Sequence, residues 1–587
     1  MSMDGRHDVP RWDAEEILTT DPLAMIARAA AVGDAAAQEV LRLDALIEAR
    51  DAEGAGASLT NLSSWLDLTL QAEIAITLGR IVAGDSAELT AGEQTVKAAV
   101  RQTRQLQEAW ERIWRDLGPD QLDWLTQTAA GQAIFHRLRR AAPRQQQVLP
   151  PGERRVLEQR DVTSRAGWVA LSAQLQSRLR IDLGEHVISL DHALAALKGP
   201  DRAERQRTSE ALGQALQAQD DLFAHGYSMV VLDHAGTDRL LGRRHWLAAI
   251  NEANELSDAS VAALLTAVED RYPLAQQWWR RKAELLQIPD FAHFDRMAPV
   301  QAPEDGRTFT FAEAREIVVG AYADIAPECG DAARLHFDQP WIDAVARPRK
   351  PQGAFCSAGA PSGHPYVSVL FEGTTRDLLD LAHEVGHGVH AVLAGPQGAL
   401  QHLPGPALAE VASGVGEAVV LERLVAEANT PQAMTALLGD RIDIAVANTF
   451  RQVATLGFEA AVHEMVGANG PASAGAIAEH WTRCQQDMHG DTVSAGPGYE
   501  HWWAFVPHIT RSPGYVYAYA ASELLALSLL ERRDADGESF AANYLQLLQA
   551  GGSRSPAELL SPFGVDVEDP EFWELGLARL ERLVSMV

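Results

Sequence analysis

A chain of 587 residues with a hydrophobic content of 47% can build a large core, and no apolar run approaches the eighteen residues or so of a membrane span. Its 80 acidic and 50 basic residues give a formal net charge of −30, which repels nucleic-acid phosphates and anionic membrane surfaces and sets both aside as partners. The same acidity would welcome cationic peptides, and it would equally serve to keep a protein soluble.

The opening MSMDGRHDVPRWDAEE has no basic stretch followed by an apolar segment, so no export signal is expected and the cytoplasm is the default location. Residues 13 to 140 are rich in Ala, Leu, Gln and Arg at helical spacing, notably over Thr60 to Val82 and Gly92 to Asp116. Ala142-Pro143 and Leu149-Pro150-Pro151-Gly152 interrupt that pattern, and Gly199-Pro200 marks another boundary. The length suggests two closely joined domains. Cys329, Cys356 and Cys484 show no CxxC spacing and fit reduced thiols.

Further along, Gly353 to Cys356 and Tyr366 to Phe371 carry β-type residues around the turn-rich Ser357 to Pro365, which predicts two strands joined by a loop. The second strand leads into Asp377 to His390, DLLDLAHEVGHGVH. Thr374 and Asp377 have capping-box spacing, Gly395-Pro396 supplies a stop, and Leu378, Leu381, Ala382, Val385, Val389 and Val392 form an apolar stripe between them. On such a helix His383 and His387 stand one turn apart on one face, so both imidazoles can reach one metal ion with Glu384 beside them. Neutral imidazoles suit zinc, and a carboxylate next to the ion can take the proton of water attacking a carbonyl. An edge strand alongside would let an extended peptide add itself by main-chain hydrogen bonds; a purely structural sheet is compatible with the same residues.

For a third ligand, His390 lies on the same face, but seven residues advance about 10.5 Å along a helix, too far to share an ion with His383. Glu410 is the better candidate, following Pro404-Gly405-Pro406, which predicts the start of a second helix. Ser413, Gly414 and Glu417 continue its face, so small residues would allow close approach of the two helices, and Glu417 is placed either to orient a histidine or to serve as a buried structural carboxylate. His489 to Gly498 is a glycine-punctuated loop. Beyond it Ser512-Pro513 predicts a helix start, with Tyr515 and Tyr519 on one face and Tyr517 on the other.

The segments GPDRAERQRTSEALGQAL (Gly199 to Leu216), DRYPLAQQWWRRKAELL (Asp270 to Leu286), FEGTTRDLLDLAHEVGHGVH and VPHITRSPGYVYAYA (Val506 to Ala520) resemble the oligoendopeptidase F branch of the thimet oligopeptidase family. The resemblance implies a mainly α-helical zincin with a deep substrate channel and a small β-sheet beside the zinc helix. It also implies a helical N-terminal domain over residues 1–195 and a catalytic domain over 196–587. A glutamate ligand at the family's spacing matches Glu410, which with His383 and His387 would hold one zinc, leaving Glu384 as general base. By the same resemblance His508, Tyr515 and Tyr519 would donate to the developing oxyanion, and short peptides would be cut at internal bonds. Two alternatives stay open: a peptidase dedicated to one precursor, and a non-catalytic peptide-binding relative, against which intact Glu384 and Glu410 speak. Cleavage preference and oligomeric state are not written in these residues.

Overall fold

The computed structural model describes residues 9–12, 38–83, 117–137, 149, 151–300, 307–347, 350 and 353–587. The helix expected over Gly92 to Asp116 lies outside these residues. The chain divides into two compact units, each assembled from three stretches: 1–146, 306–423 and 532–564 in the first, 147–305, 424–531 and 565–587 in the second. No described helix is long and apolar enough to cross a membrane.

In the first unit the predicted helix over Thr60 to Val82 forms as part of Ala52–Ala83. It joins Pro119–Thr126 and Ala129–Ala133 around a core of Leu43, Ile47, Leu59, Leu62, Trp65 and Leu125. Phe311–Ile325 starts from a Thr310–Glu313 capping box and turns at Pro327 into Pro327–Asp338. The small sheet has three strands. Tyr366–Ser368 lies in the middle, parallel to Ile342–Asp343 and antiparallel to Phe355–Ser357, with Cys356 opposite Val367. Both predicted strands are therefore present, shorter than expected, and Phe355–Ser357 is at an edge. The HExxH helix, Thr375–Ala394, packs against Pro327–Asp338, Glu538–Ala550 and both of these strands. Its start is fixed as its sequence requires: Thr374 caps the Asp377 amide, and Asp377 answers at the Thr374 amide at 3.0 Å.

The second unit is helical, apart from an antiparallel ladder pairing Ile181–Asp182 with Val187–Ile188. Arg202–Gln217, Asp220–Leu240, Gln452–Asn469 and Ala474–His489 enclose an aromatic core of Tyr227, Phe458, Trp481, Trp502 and Trp503. The loop after His489 is tied down at several points. Ser494 bridges to Phe291 and His293 through main-chain bonds, and the Gly496 amide donates to His293 Nδ1 at 3.0 Å. Gly498, with φ of +83°, abuts Gly213, where a side chain on either residue would collide with backbone.

Candidate active site and metal centre

His383 and His387 sit one turn apart on the HExxH helix with ring centroids 5.1 Å apart. Pro406 does open a helix, but a short one, Pro406–Ala409; Glu410 stands at its end, just before the long helix Val411–Glu427. This break turns the Glu410 carboxylate back to the histidines, its Oε2 lying 3.3 Å from Nε2 of each. The ligand atoms of the three residues all lie within 4.8 Å of one another. His390 does not join them. It is buried, burial holds its pKa down to about 3, and among the described residues its Nε2 has no partner.

The donor chemistry of this cluster calls for a cation. His383 Nδ1 faces Glu417 Oε2 at 3.0 Å, and a carboxylate can only accept, so the proton belongs on Nδ1 and the Nε2 lone pair faces the Glu410 carboxylate. Two acceptors in that position are stable only with positive charge between them, supplied by a proton or by a metal ion. Protonation shows the same demand. Burial opposes charge on His383, yet Glu410 and Glu417 outweigh it and push its pKa up to about 10. Burial likewise opposes ionisation of Glu410, yet hydrogen bonds from His383 and His387 hold its carboxyl well below the usual range. Two neutral imidazoles and one carboxylate in this arrangement suit zinc. Glu384 is buried beside them, and desolvation raises its pKa against the pull of the two histidines.

The closeness of the two ligand-bearing helices depends on a residue not singled out in the sequence. The buried Tyr322 hydroxyl donates to the Ala382 carbonyl at 2.9 Å, with the Ala412 carbonyl at 3.3 Å. A Cβ at Gly386 or Gly416 would run into that hydroxyl, and one at Gly386 would also meet Ser413. The small residues at the contact are therefore Gly386, Ser413 and Gly416. Tyr322 reads in sequence as one more apolar residue of a helix.

A cavity of about 450 Å³ opens over the cluster, lined by His383, Glu384, His387 and Glu410 together with Ala354, Phe355 and Cys356 of the sheet edge. The Cys356 thiol faces Glu384 closely enough that burial and that carboxyl together hold its pKa well above the ordinary value. All three cysteines are free.

In the second unit His508, Tyr515 and Tyr519 come together, by a different backbone route from the one expected. Ser512-Pro513 does not begin the tyrosine helix: Ser512 closes the short helix His508–Arg511, Gly514 turns at φ +79°, and the helix runs from Tyr517 to Asp536. Proline in the first turn is a permissive signal, and here the backbone takes a glycine turn after it instead. Tyr515 therefore lies in the turn. Its ring still stacks on His508 at 6.0 Å and meets Tyr519 edge-on at 5.5 Å. Tyr519 and His508 Nε2 share a 3.1 Å hydrogen bond, and burial, with Arg511 and Arg451 nearby, keeps His508 neutral by lowering its pKa. Tyr517 faces elsewhere as expected, fully buried and donating to Asn251 at 2.8 Å.

A mainly helical body carrying a histidine pair on one helix, closed by a glutamate from the next, defines the class as the HExxH metal-site proteins. Within that class the chain belongs to peptidase family M3, whose model matches residues 195–579. Among curated relatives, oligoendopeptidase F (chromosomal) of Lactococcus lactis subsp. cremoris is 25% identical over 323 residues, which are 55% of this chain and 53% of the relative. The chain thus spans about half the length of the curated relatives it matches most strongly. Among solved structures, a protein of Chlamydophila abortus assigned as a peptidase superposes with a TM-score of 0.83 at 20% identity, covering 98% of each chain. Oligoendopeptidase F of Enterococcus faecium gives 0.66 at 16% identity, covering 95% of this chain and 99% of that one. At these identities the structures establish the fold, which is the mainly helical one with small sheets that the sequence led us to expect.

Proposed function

We propose that this chain is a zinc-dependent oligoendopeptidase that hydrolyses internal bonds of short peptides in the cytoplasm, with residues 1–195 as its N-terminal domain and 196–587 as its catalytic domain. The observation that supports this most is the placing of His383, His387, Glu410 and Glu384 around one cavity whose wall includes an edge strand. His383, His387 and Glu410 would hold one ion, which when bound supplies Lewis acidity and lowers the pKa of water. Glu417 accepts from His383 Nδ1 and fixes the ring, leaving Nε2 free to serve as the ligand atom. Phe355–Ser357 offers main-chain groups to an extended peptide, a mode that tolerates many side chains. Glu384 takes the proton from the attacking water and returns it to the leaving amine. Tyr519, Tyr515 and His508 act as donors to the carbonyl oxygen as charge builds on it. The name of the Lactococcus relative supports short peptides as substrates.

Glu384→Gln tests this reading. The variant should keep its zinc by elemental analysis and still bind peptide, while hydrolysis of a quenched fluorescent peptide library falls about 10²- to 10⁴-fold. Near-normal turnover in the variant would refute the mechanism, and failure of the zinc-loaded parent protein to cut any peptide would refute the function.

A further inference from the structure

In the second unit, Ala447–Arg451 forms a π-helical turn between two α-helices, a local widening that is frequent at functional sites. Arg451, at its end, is half-buried and, among the described residues, makes no hydrogen bond and no ion pair through its guanidinium. This sets it apart from other arginines of the unit. Arg205 is held by Asp295 and two carbonyls, Arg243 by Asp238, and Arg441 by Glu523. A cation withdrawn from water normally finds an anion, and this chain carries 80 carboxylate side chains from which one could have been placed.

The surroundings of Arg451 hold positive and neutral groups instead. The charges and phenols that act on it are Arg296, Tyr499 and Tyr519, and burial together with Arg296 lowers its pKa to about 10. Arg296 lies over the Tyr499 ring at 5.6 Å and donates to the Tyr499 hydroxyl and the His293 carbonyl, so it brings no negative charge. His293, His489 and His508 are each kept neutral, chiefly by burial. Glu523, one turn beyond Tyr519, is engaged by Arg441 and Asn448. Two guanidiniums that repel one another, with Tyr519 close enough to act on Arg451, favour an anionic ligand, and a guanidinium fork matches a carboxylate in two parallel hydrogen bonds.

We propose that Arg451, backed by Arg296, binds a carboxylate of the peptide substrate and so positions the chain relative to Tyr519 and His508. This rests on the peptidase reading above and specifies one chemical group of its substrate. The carboxylate can come from the peptide's C-terminus or from an acidic side chain. The site is thus a local reversal of the protein's overall negative charge.

The test uses three versions of one cleavable peptide: the free C-terminal acid, the C-terminal amide, and the amide with a glutamate on the leaving-group side. Each is measured for kcat/KM with the zinc-loaded parent protein, Arg451→Gln and Arg451→Lys. The parent protein should prefer at least one carboxylate-bearing peptide over the plain amide by roughly 10- to 100-fold, the range of a hydrogen bond to a charged group. Which of the two is preferred names the source. In Arg451→Gln the ratio should collapse to near one, and Arg451→Lys should restore part of it. Thermal melting checks that both variants fold, and loss of an unpaired cation should not lower the melting temperature. A parent ratio near one, or an equal fall on all three peptides in Arg451→Gln, would overturn the proposal. Fluorescence anisotropy with labelled acid and amide peptides on Glu384→Gln, with and without Arg451→Gln, reads the same preference as binding. If nothing is cleaved, the peptidase reading fails and these binding ratios decide the carboxylate site independently.

Discussion

The two clusters to which the proposed function assigns the chemistry are built in opposite ways. The histidine–glutamate cluster of the first unit stands on regular helices braced by Tyr322, and its carboxylates and imidazoles together demand positive charge. The tyrosine–histidine cluster of the second unit stands on a glycine turn, a four-residue helix and the first turn of a long one, and burial keeps its histidine neutral. In the proposed function the first would hold an ion and the second would donate hydrogen bonds. A neutral donor costs little until charge develops beside it, which is what the stabilisation of a transient oxyanion requires.

The sharpest test of this contrast is Tyr519→Phe, which removes one hydroxyl and almost no volume. Loss of one oxyanion donor should lower turnover about 100-fold with substrate affinity nearly unchanged, measured as separate kcat and KM values. Tyr517→Phe serves as the control: it breaks the hydrogen bonds to Asn251 and from Asn254 and should cost about 1–3 kcal/mol of stability with normal turnover. The reverse pattern would mean that the second cluster is packing.

A smaller effect is expected at the first cluster, where Glu417→Gln keeps the shape and weakens the bond that orients His383. Zinc affinity, measured by competition with a chelator, should fall roughly 10- to 100-fold. An unchanged affinity would assign Glu417 to the scaffold.

The smallest effect concerns the support of the second cluster. Glu459 is fully buried, accepts from the Gly514 amide at 2.9 Å, and burial pushes its pKa up to about 8 against that bond. An unfolded glutamate releases its proton near about pH 4.3. The folded protein holds the proton longer, so this group's contribution to stability is complete below about pH 4 and is lost progressively as pH rises to about 8. Glu459→Gln cannot lose a proton. Its melting temperature should therefore gain on the parent by about one to two degrees per pH unit across that window. Parallel curves would show that Glu459 is already charged in the fold.

What was legible in the sequence follows the same division. The HExxH helix announced itself because its caps, its apolar stripe and its histidine spacing all express one 3.6-residue period, and the structure reproduces each of them. Glu410 could be placed from the proline that opens its helix, although the break at Glu410 itself has no strong signal. The second cluster was reached only through the family resemblance and was assigned the wrong backbone, since Ser512-Pro513 permits a helix start and Gly514 decides against one. Tyr322 and Arg451 were invisible for different reasons. The bonds of Tyr322 reach residues 60 and 90 positions away, and the significance of Arg451 lies in its having no hydrogen-bond or ion-pair partner among the described residues, which no local pattern encodes.

The Tyr322 brace has one more consequence. Its bonds fall on the carbonyl just before His383 and on the carbonyl two residues after Glu410, and two glycines let it reach both. The spacing between the ligand-bearing helices is therefore braced by the protein's own contacts. Small zinc modules collapse when the ion is removed, because the metal itself supplies their folding energy. Here the chain itself braces the two helices, so an ion held between them should be removable by a chelator and restorable without unfolding, which circular dichroism before and after chelation would check.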